Sequence, residues 1–112
     1  MPKELWTISF ETPKGNEGHG GIIVDATNLY GGDAGFYYLG TYTTNTKDAT
    51  LTGHVDVVRH DPSADFIFPS LNGGRFQICG KLAKPEISLK AHLIRYPHQP
   101  LTIRCNSMKD LS

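Results

Sequence analysis

Three side chains of the kind that bind metal ions fall close together in the sequence: His54, Asp56 and His60. Residues two positions apart on a β-strand share a face, so all three could point to the same side. However, His60 is followed by Asp61-Pro62, which indicates the end of a strand, and no fourth ligand lies nearby in the sequence. The pattern favours a solvent-facing strand surface, and we predict neither a metal site nor a cofactor.

The remaining reactive side chains form no catalytic motif. Five histidines and two cysteines show no metal-type or redox-type spacing, and neither a Gly-x-Ser-x-Gly elbow nor a P-loop occurs. The glycine-rich segment 15–21 precedes no helical pattern that could bind a phosphate. Cys79 follows the polar alternation of its segment and Cys105 the apolar one, so the two should not pair. We predict a protein that is not an enzyme.

Length and charge favour one ordinary domain spanning residues 1–112. Lys plus Arg and Asp plus Glu each number 11, which excludes a strongly basic nucleic-acid surface. No apolar run approaches the roughly 20 residues of a membrane helix. The first residues lack the apolar stretch of a secretory signal. These features predict a cytoplasmic protein that binds neither nucleic acid nor membrane.

Apolar and polar residues alternate along most of the chain, which is the pattern of half-buried β-strands. The predicted inward-facing series are Trp6, Ile8 and Phe10; Gly18, Gly20, Ile22 and Val24; Phe36, Tyr38 and Tyr42; Ala49, Leu51, Gly53, Val55 and Val57; Phe76, Ile78 and Leu82; Ile87, Leu89, Ala91 and Leu93; and Leu101, Ile103 and Cys105. No window of useful length shows a helical period. Seven or eight short strands at even spacing indicate a barrel or a sandwich.

A closed barrel would bury every apolar face and leave no open sheet edge, whereas the Cys–Trp–Cys arrangement of immunoglobulin-like sandwiches is absent. We therefore predict an all-β, eight-stranded, antiparallel up-and-down barrel. The connection from Asp61 to Gly74 is longer than a hairpin needs and is apolar in its centre. We expect this connection to form a short helical turn or flap over one end of the barrel.

Several side chains could serve a binding site at the barrel interior or its rim. The aromatic run 36–38 with Tyr42 lacks the basic surroundings of a nucleic-acid platform, so Tyr38 and Tyr42 are interpreted as interior side chains. Gly31, Gly32 and Asp33 are typical of a tight corner, in which glycines permit positive φ and Asp accepts backbone N–H bonds. The same triplet could also form a binding-site rim. The proposed cavity or rim residues are Trp6, Gly31, Gly32, Asp33, Tyr38 and Tyr42.

An interface is predicted where large apolar side chains cluster outside any clear strand. Phe66, Ile67, Phe68 and Leu71 lie within six residues, and leaving all four in water would be costly. They should cover the barrel end, contact a partner, or contact their own copy in a twofold dimer. We expect a homodimer to which this segment or the outward-facing Tyr37 contributes.

Four segments, taken in order, resemble the GrlR-like family, which is named for a bacterial negative regulator of type III secretion gene expression. These segments are Trp6-Thr7-Ile8-Ser9-Phe10, Gly18-His19-Gly20, Leu29-Tyr30-Gly31-Gly32-Asp33 and Tyr38-Leu39-Gly40-Thr41-Tyr42. The similarity runs from about Leu5 to Arg59, and its most specific element is Gly-Gly-Asp followed by an aromatic strand and a glycine.

The resemblance implies a lipocalin-like (calycin-like) barrel, often dimeric, that is not an enzyme and that binds and silences a transcriptional activator. The family's partner-binding loop is acidic and follows the aromatic strand. The matching segment here has one acid and one base. It consists of Thr44, Asn45, Thr46, Lys47 and Asp48. Three hypotheses stand, in this order of preference: a regulatory barrel that binds a transcriptional regulator protein, a barrel that binds a small apolar ligand, and an enzyme whose site no known motif reveals.

Overall fold

The computed structural model describes residues 3–12, 15–64, 73–82 and 86–111, and it is a closed barrel of eight antiparallel strands. The strands are β1 (Lys3–Thr12), β2 (Gly15–Asp25), β3 (Asn28–Gly32), β4 (Phe36–Asn45), β5 (Thr50–Arg59), β6 (Gly73–Lys81), β7 (Glu86–Leu93) and β8 (Tyr96–Asp110).

Each strand pairs with the next one along the chain, and β8 closes the barrel against β1. In the closing pair Ile8 lies opposite Cys105, and Phe10 lies opposite Ile103. This arrangement confirms the prediction of an all-β, eight-stranded, antiparallel up-and-down barrel.

The inward-facing residues are those that the alternation predicted. In β7, for example, Ile87, Leu89, Ala91 and Leu93 are buried while the residues between them are exposed or half-buried. The buried core also contains Trp6, Ile8, Ile22, Phe36, Tyr38, Leu51, Val57, Phe76, Ile78, Leu101, Ile103 and Cys105. One predicted member, Ala49, is instead an exposed turn residue. Its φ is 54°, in the left-handed region, and Ala26 in the turn between β2 and β3 has a similar φ of 57°.

The predicted helical turn or flap is not found in the described residues, which contain strands and turns only. Residues 61–64 form a turn after β5, and β6 begins at Gly73. The predicted interface side chains Phe66, Ile67, Phe68 and Leu71 lie outside the described residues. Within the described ranges, no helix is long and apolar enough to cross a membrane.

The two cysteines lie on opposite faces of the sheet, as predicted from strand parity. Cys79 is exposed, Cys105 is buried in the core, and neither forms a disulfide. Burial raises the pKa of the Cys105 thiol to about 12. Cys105 is therefore an unreactive interior side chain at neutral pH, because the thiolate is the reactive form.

We expect one fast and one slow thiol in the native protein. A disulfide-exchange reagent at pH 8 should modify Cys79 at once and Cys105 only after denaturant is added, since Cys105 is both covered and kept protonated. In Cys79→Ser, the fast reaction should disappear. Rapid modification of both thiols in the native wild type would contradict the strand parity.

Candidate functional site

The barrel interior contains a cavity of about 350 Å³ between its core and the corner that joins β3 to β4. Most of the side chains around it are apolar and come from all parts of the sheet. They include Ile8, Phe36, Val57, Ile78, Leu89 and Ile103. An eight-stranded barrel is wide enough either to be filled by its side chains or to hold one small ligand. The described side chains leave this interior only partly filled.

Other inward-facing side chains occupy the half of the interior away from the Asp33 corner, here called the filled half. Trp6, Tyr42 and Leu51 point inward there, and none of them borders the cavity. The Tyr42 hydroxyl donates to the carbonyl oxygen of Ala26 at 2.7 Å, across the β2–β3 turn. Of the predicted cavity or rim residues, Trp6 and Tyr42 therefore belong to the filled half of the barrel.

The corner after β3 is built on the carboxylate of Asp33. Its Oδ1 accepts the backbone N–H groups of Gly35 and Phe36, at 2.9 and 2.8 Å. Its own N–H donates to the Phe36 carbonyl at 2.9 Å. These bonds match the predicted corner, in which Asp accepts from the backbone two residues on.

The predicted conformation of the two glycines before this corner was wrong. Gly31 and Gly32 do not have a positive φ; they are strand residues at the end of β3. The close approach of neighbouring backbone explains the two glycines better. A Cβ on Gly31 would overlap the Gly21 carbonyl oxygen of β2 and lie 2.7 Å from the Ile22 Cα. A Cβ on Gly32 would lie 2.8 Å from the Phe36 carbonyl oxygen. Neither glycine is among the described residues that line the cavity.

Tyr38 joins the corner to the cavity. Its hydroxyl donates to Asp33 Oδ2, and its ring is buried and lies edge-on to Phe10, with centroids 5.5 Å apart. A Cβ on Gly20 would lie 3.1 Å from this phenol, so the absence of a side chain there makes room for it. Burial, and then the bond to Asp33, raise the pKa of Tyr38 far above the usual range. The phenol is therefore neutral and fixed in direction.

The connection after β5 packs against the Asp33 corner. The backbone N–H of His60 donates to the Gly35 carbonyl oxygen at 2.9 Å. The ring Nε2 of His60 lies 3.1 Å from the backbone carbonyl oxygen of Asp33. Ala64 lines the cavity beside Gly35. Arg59, the last residue of β5, places its guanidinium 6.0 Å from the centre of the Phe36 ring. Sequence alternation gave no signal for any of these contacts.

The polar residues of β5 do not come together as a metal site. Asp56 pairs with Arg75 on β6 through two bonds of 2.7 and 3.0 Å, and the bond to Arg75 lowers the pKa of Asp56. His60 belongs to the corner instead. No group of three potential metal ligands occurs within the part of the chain that the structure describes.

The predicted partner loop, Asn45, Thr46, Lys47 and Asp48, is an exposed turn between β4 and β5. Its side chains make local contacts: Asn45 Oδ1 accepts the Lys47 N–H, and Asp48 Oδ1 accepts the Thr50 hydroxyl. This turn is at the end of the barrel opposite to the Asp33 corner, because β4 runs from one to the other.

We expect the barrel to lose stability in alkaline solution. The folded pKa of Tyr38 and that of Cys105 both lie above their unfolded values, so their contribution is complete below about pH 8.5 and is lost as the pH rises. Each group should contribute a slope of up to about 1.4 kcal/mol per pH unit. Urea unfolding between pH 8 and 11 measures it, and Tyr38→Phe should flatten the upper part of the curve. A flat wild-type curve would contradict this prediction.

Comparison with known proteins adds no relative from which the site could be assigned. No protein-family model matches the chain. A search of curated proteins likewise finds no match.

Proposed function

We propose that this chain is a non-enzymatic, lipocalin-like barrel that binds one small, mostly apolar ligand in its interior. The observation that carries the proposal is the cavity of about 350 Å³, which is walled mostly by apolar side chains and bordered by a few polar ones, among them the hydrogen-bonded pair Asp33 and Tyr38. Ligand sites are typically concave, mostly apolar and equipped with a few fixed polar groups. The cavity favours this hypothesis over a purely protein-binding barrel.

The size of the cavity limits the size of the ligand. An apolar cavity of about 150 Å³ binds benzene, so a cavity of 350 Å³ corresponds to a molecule of about 14 non-hydrogen atoms. Such a molecule is a bicyclic aromatic or a compound of similar bulk. Long-chain lipids and sterols are too large for it.

The reactive side chains that line the cavity also favour binding over catalysis. Asp33 holds the corner, and the raised pKa values of Tyr38 and Cys105 keep both of them protonated at neutral pH. His19 has an exposed side chain on the outward-facing parity of β2. Tyr38, Cys105 and His19 therefore offer no base or nucleophile inside the cavity, and the carboxylate of Asp33 is already engaged by the corner and by Tyr38.

A thermal-shift and calorimetric titration with naphthalene and 2-naphthol tests the proposal. We expect saturable 1:1 binding and a higher melting temperature. Val57→Phe, which extends a cavity-lining side chain, should abolish binding. The matched control Val58→Phe makes the same change one residue on, at an outward-facing position, and should bind normally. Absence of binding to the wild type, or equal loss in both variants, would reject the proposal.

Binding of a protein partner is a second candidate function, favoured by an apolar row on the outer face of the barrel. Leu5, Ile23, Tyr30 and Leu39 are directly opposite one another on β1 to β4, so their side chains are neighbours. Tyr30 and Leu39 are 37% and 52% exposed, and Tyr37 on the same face of β4 is 41% exposed. This row is a surface on which a regulator protein or a second copy of the chain could bind.

We expect a homodimer that uses this row, the segment containing Phe66 and Phe68, or both. Sedimentation at tens of micromolar, above the roughly 1 μM Kd of a weak interface, should show a dimer for the wild type. Tyr30→Ser/Leu39→Ser and Phe66→Ser/Phe68→Ser are compared separately, and the one that yields monomers identifies the interface. A monomeric wild type would reject the dimer.

A further inference from the structure

We infer that the ligand of the cavity carries a hydrogen-bond donor, such as a hydroxyl, amine or amide N–H group, which it directs at Asp33 and Tyr38. This inference rests on the proposed function and specifies the class of ligand. Because the Tyr38 hydroxyl proton is directed at Asp33, the side-chain oxygens of this pair can only accept hydrogen bonds from a ligand. A neutral or cationic head group would therefore fit, whereas a carboxylate or phosphate would not.

The carboxylate of Asp33 has unused accepting capacity on the side of the cavity. A carboxylate offers about four lone-pair positions. Among the described residues, Oδ1 uses two of them on the N–H groups of Gly35 and Phe36, and Oδ2 uses one on the Tyr38 hydroxyl. One position on Oδ2 is left for a donor that enters from the cavity.

The hydroxyl of Tyr38 also presents an acceptor to the cavity. Its single proton is directed at Asp33 Oδ2, so its oxygen can offer only lone pairs to a ligand. The ring is buried, lies edge-on to Phe10 and occupies the space that a side chain at Gly20 would fill. Asp33 and Tyr38 are both among the residues that line the cavity.

The other polar groups near the cavity do not offset this preference. Cys105 supplies a protonated thiol, which is a weak donor. The side chain of His19 is exposed, and His60 faces the Asp33 backbone carbonyl. The guanidinium of Arg59 lies over the Phe36 ring, and Arg59 is not one of the described lining residues.

Three probes of nearly equal size distinguish the possibilities: 2-naphthol, which donates; 2-methoxynaphthalene, which does not; and 2-naphthoate, which is an anion. Binding is measured by calorimetry at pH 7. We expect 2-naphthol to bind about 10- to 100-fold more tightly than 2-methoxynaphthalene, the range for a hydrogen bond to a charged group. Naphthoate should bind most weakly, because the carboxylate of Asp33 repels it.

Asp33→Asn is the diagnostic variant. The amide can keep the Oδ1 bonds of the corner while it removes the negative charge and turns a donor toward Tyr38. We expect the preference for 2-naphthol to shrink at least fivefold and naphthoate binding to become measurable. Asp56→Asn, which removes the same charge from the outer face, is the matched control and should keep the wild-type ranking.

The outcomes separate this inference from the proposed function. If none of the three probes binds to the wild type, the proposed function fails. If all three bind equally, or naphthoate binds most tightly, the cavity remains a binding site but the inference is wrong. A loss of naphthoate binding in Arg59→Gln would then identify the cation that replaces the Asp33–Tyr38 pair. If Asp33→Asn does not fold, the ranking in the wild type alone decides.

Discussion

Gly31→Ala should lower the free energy of unfolding by about 3 kcal/mol, the upper part of the range for overpacking a close-packed interior. The added methyl would overlap the Gly21 carbonyl oxygen and come within 2.9 Å of its carbonyl carbon. Both atoms belong to the backbone of β2, so the clash can be relieved only by separating two paired strands. Since small domains are stable by only about 5–15 kcal/mol, this is a large fraction of the total.

Urea unfolding followed by Trp6 fluorescence measures this change. Gly21→Ala is the matched control, because a Cβ at Gly21 would meet only the Trp6 carbonyl oxygen at 3.9 Å, an ordinary contact. We expect the control to alter stability by less than about 1 kcal/mol. Equal midpoints for Gly31→Ala and Gly21→Ala would show that the close approach of β2 and β3 does not constrain Gly31.

Asp33→Ala should lower the free energy of unfolding by about 3 kcal/mol, since it removes the acceptor of three hydrogen bonds at once. The donors left behind are the N–H groups of Gly35 and Phe36 and the hydroxyl of Tyr38. The site is part-buried, so water can replace some of these bonds, which keeps the expected loss below the sum of three charged hydrogen bonds.

The same unfolding experiment on Asp48→Ala provides the control. Asp48 also accepts a short hydrogen bond, from Thr50 at 2.7 Å, but in an exposed turn, and we expect a loss of less than 1 kcal/mol, about what one exposed bond contributes. If Asp33→Ala kept the wild-type stability but lost binding of 2-naphthol, Asp33 would be a ligand-binding residue rather than a corner residue.

The barrel could be predicted from the sequence because each strand has one apolar face. In β7 and β8, the run from Ile87 to Leu93 and the run from Leu101 to Cys105 alternate without a break. Such alternation fixes which residues face inward before any strand is paired. The same parity placed Cys79 outside and Cys105 inside.

The site could be predicted only in part. Asp33 and Tyr38 were both proposed, but their hydrogen bond depends on how β4 leaves the corner, which alternation does not encode. Tyr42 has the same parity and sequence signal as Tyr38, yet it lies in the filled half of the barrel. Whether an interior is full or hollow depends on the summed volume of side chains from eight strands.

The glycines show a second limit of sequence reasoning. Gly31 and Gly32 suggested positive φ, but glycine is equally suited to positions where another strand leaves no room for a Cβ. The two reasons are indistinguishable in a sequence. They separate only when the register places Gly21 opposite Gly32 and Ile22 opposite Gly31.

The strand order has a consequence for how the chain folds. Seven of the eight pairings join strands that are consecutive in the chain, so each can form as a hairpin soon after its neighbour. The pairing of β1 with β8 alone joins residues on the order of a hundred positions apart, and closing so long a loop has the largest entropic cost of the eight pairings. The seam between Ile8 and Cys105 should therefore form late, and mutations along it should accelerate unfolding more than they slow folding.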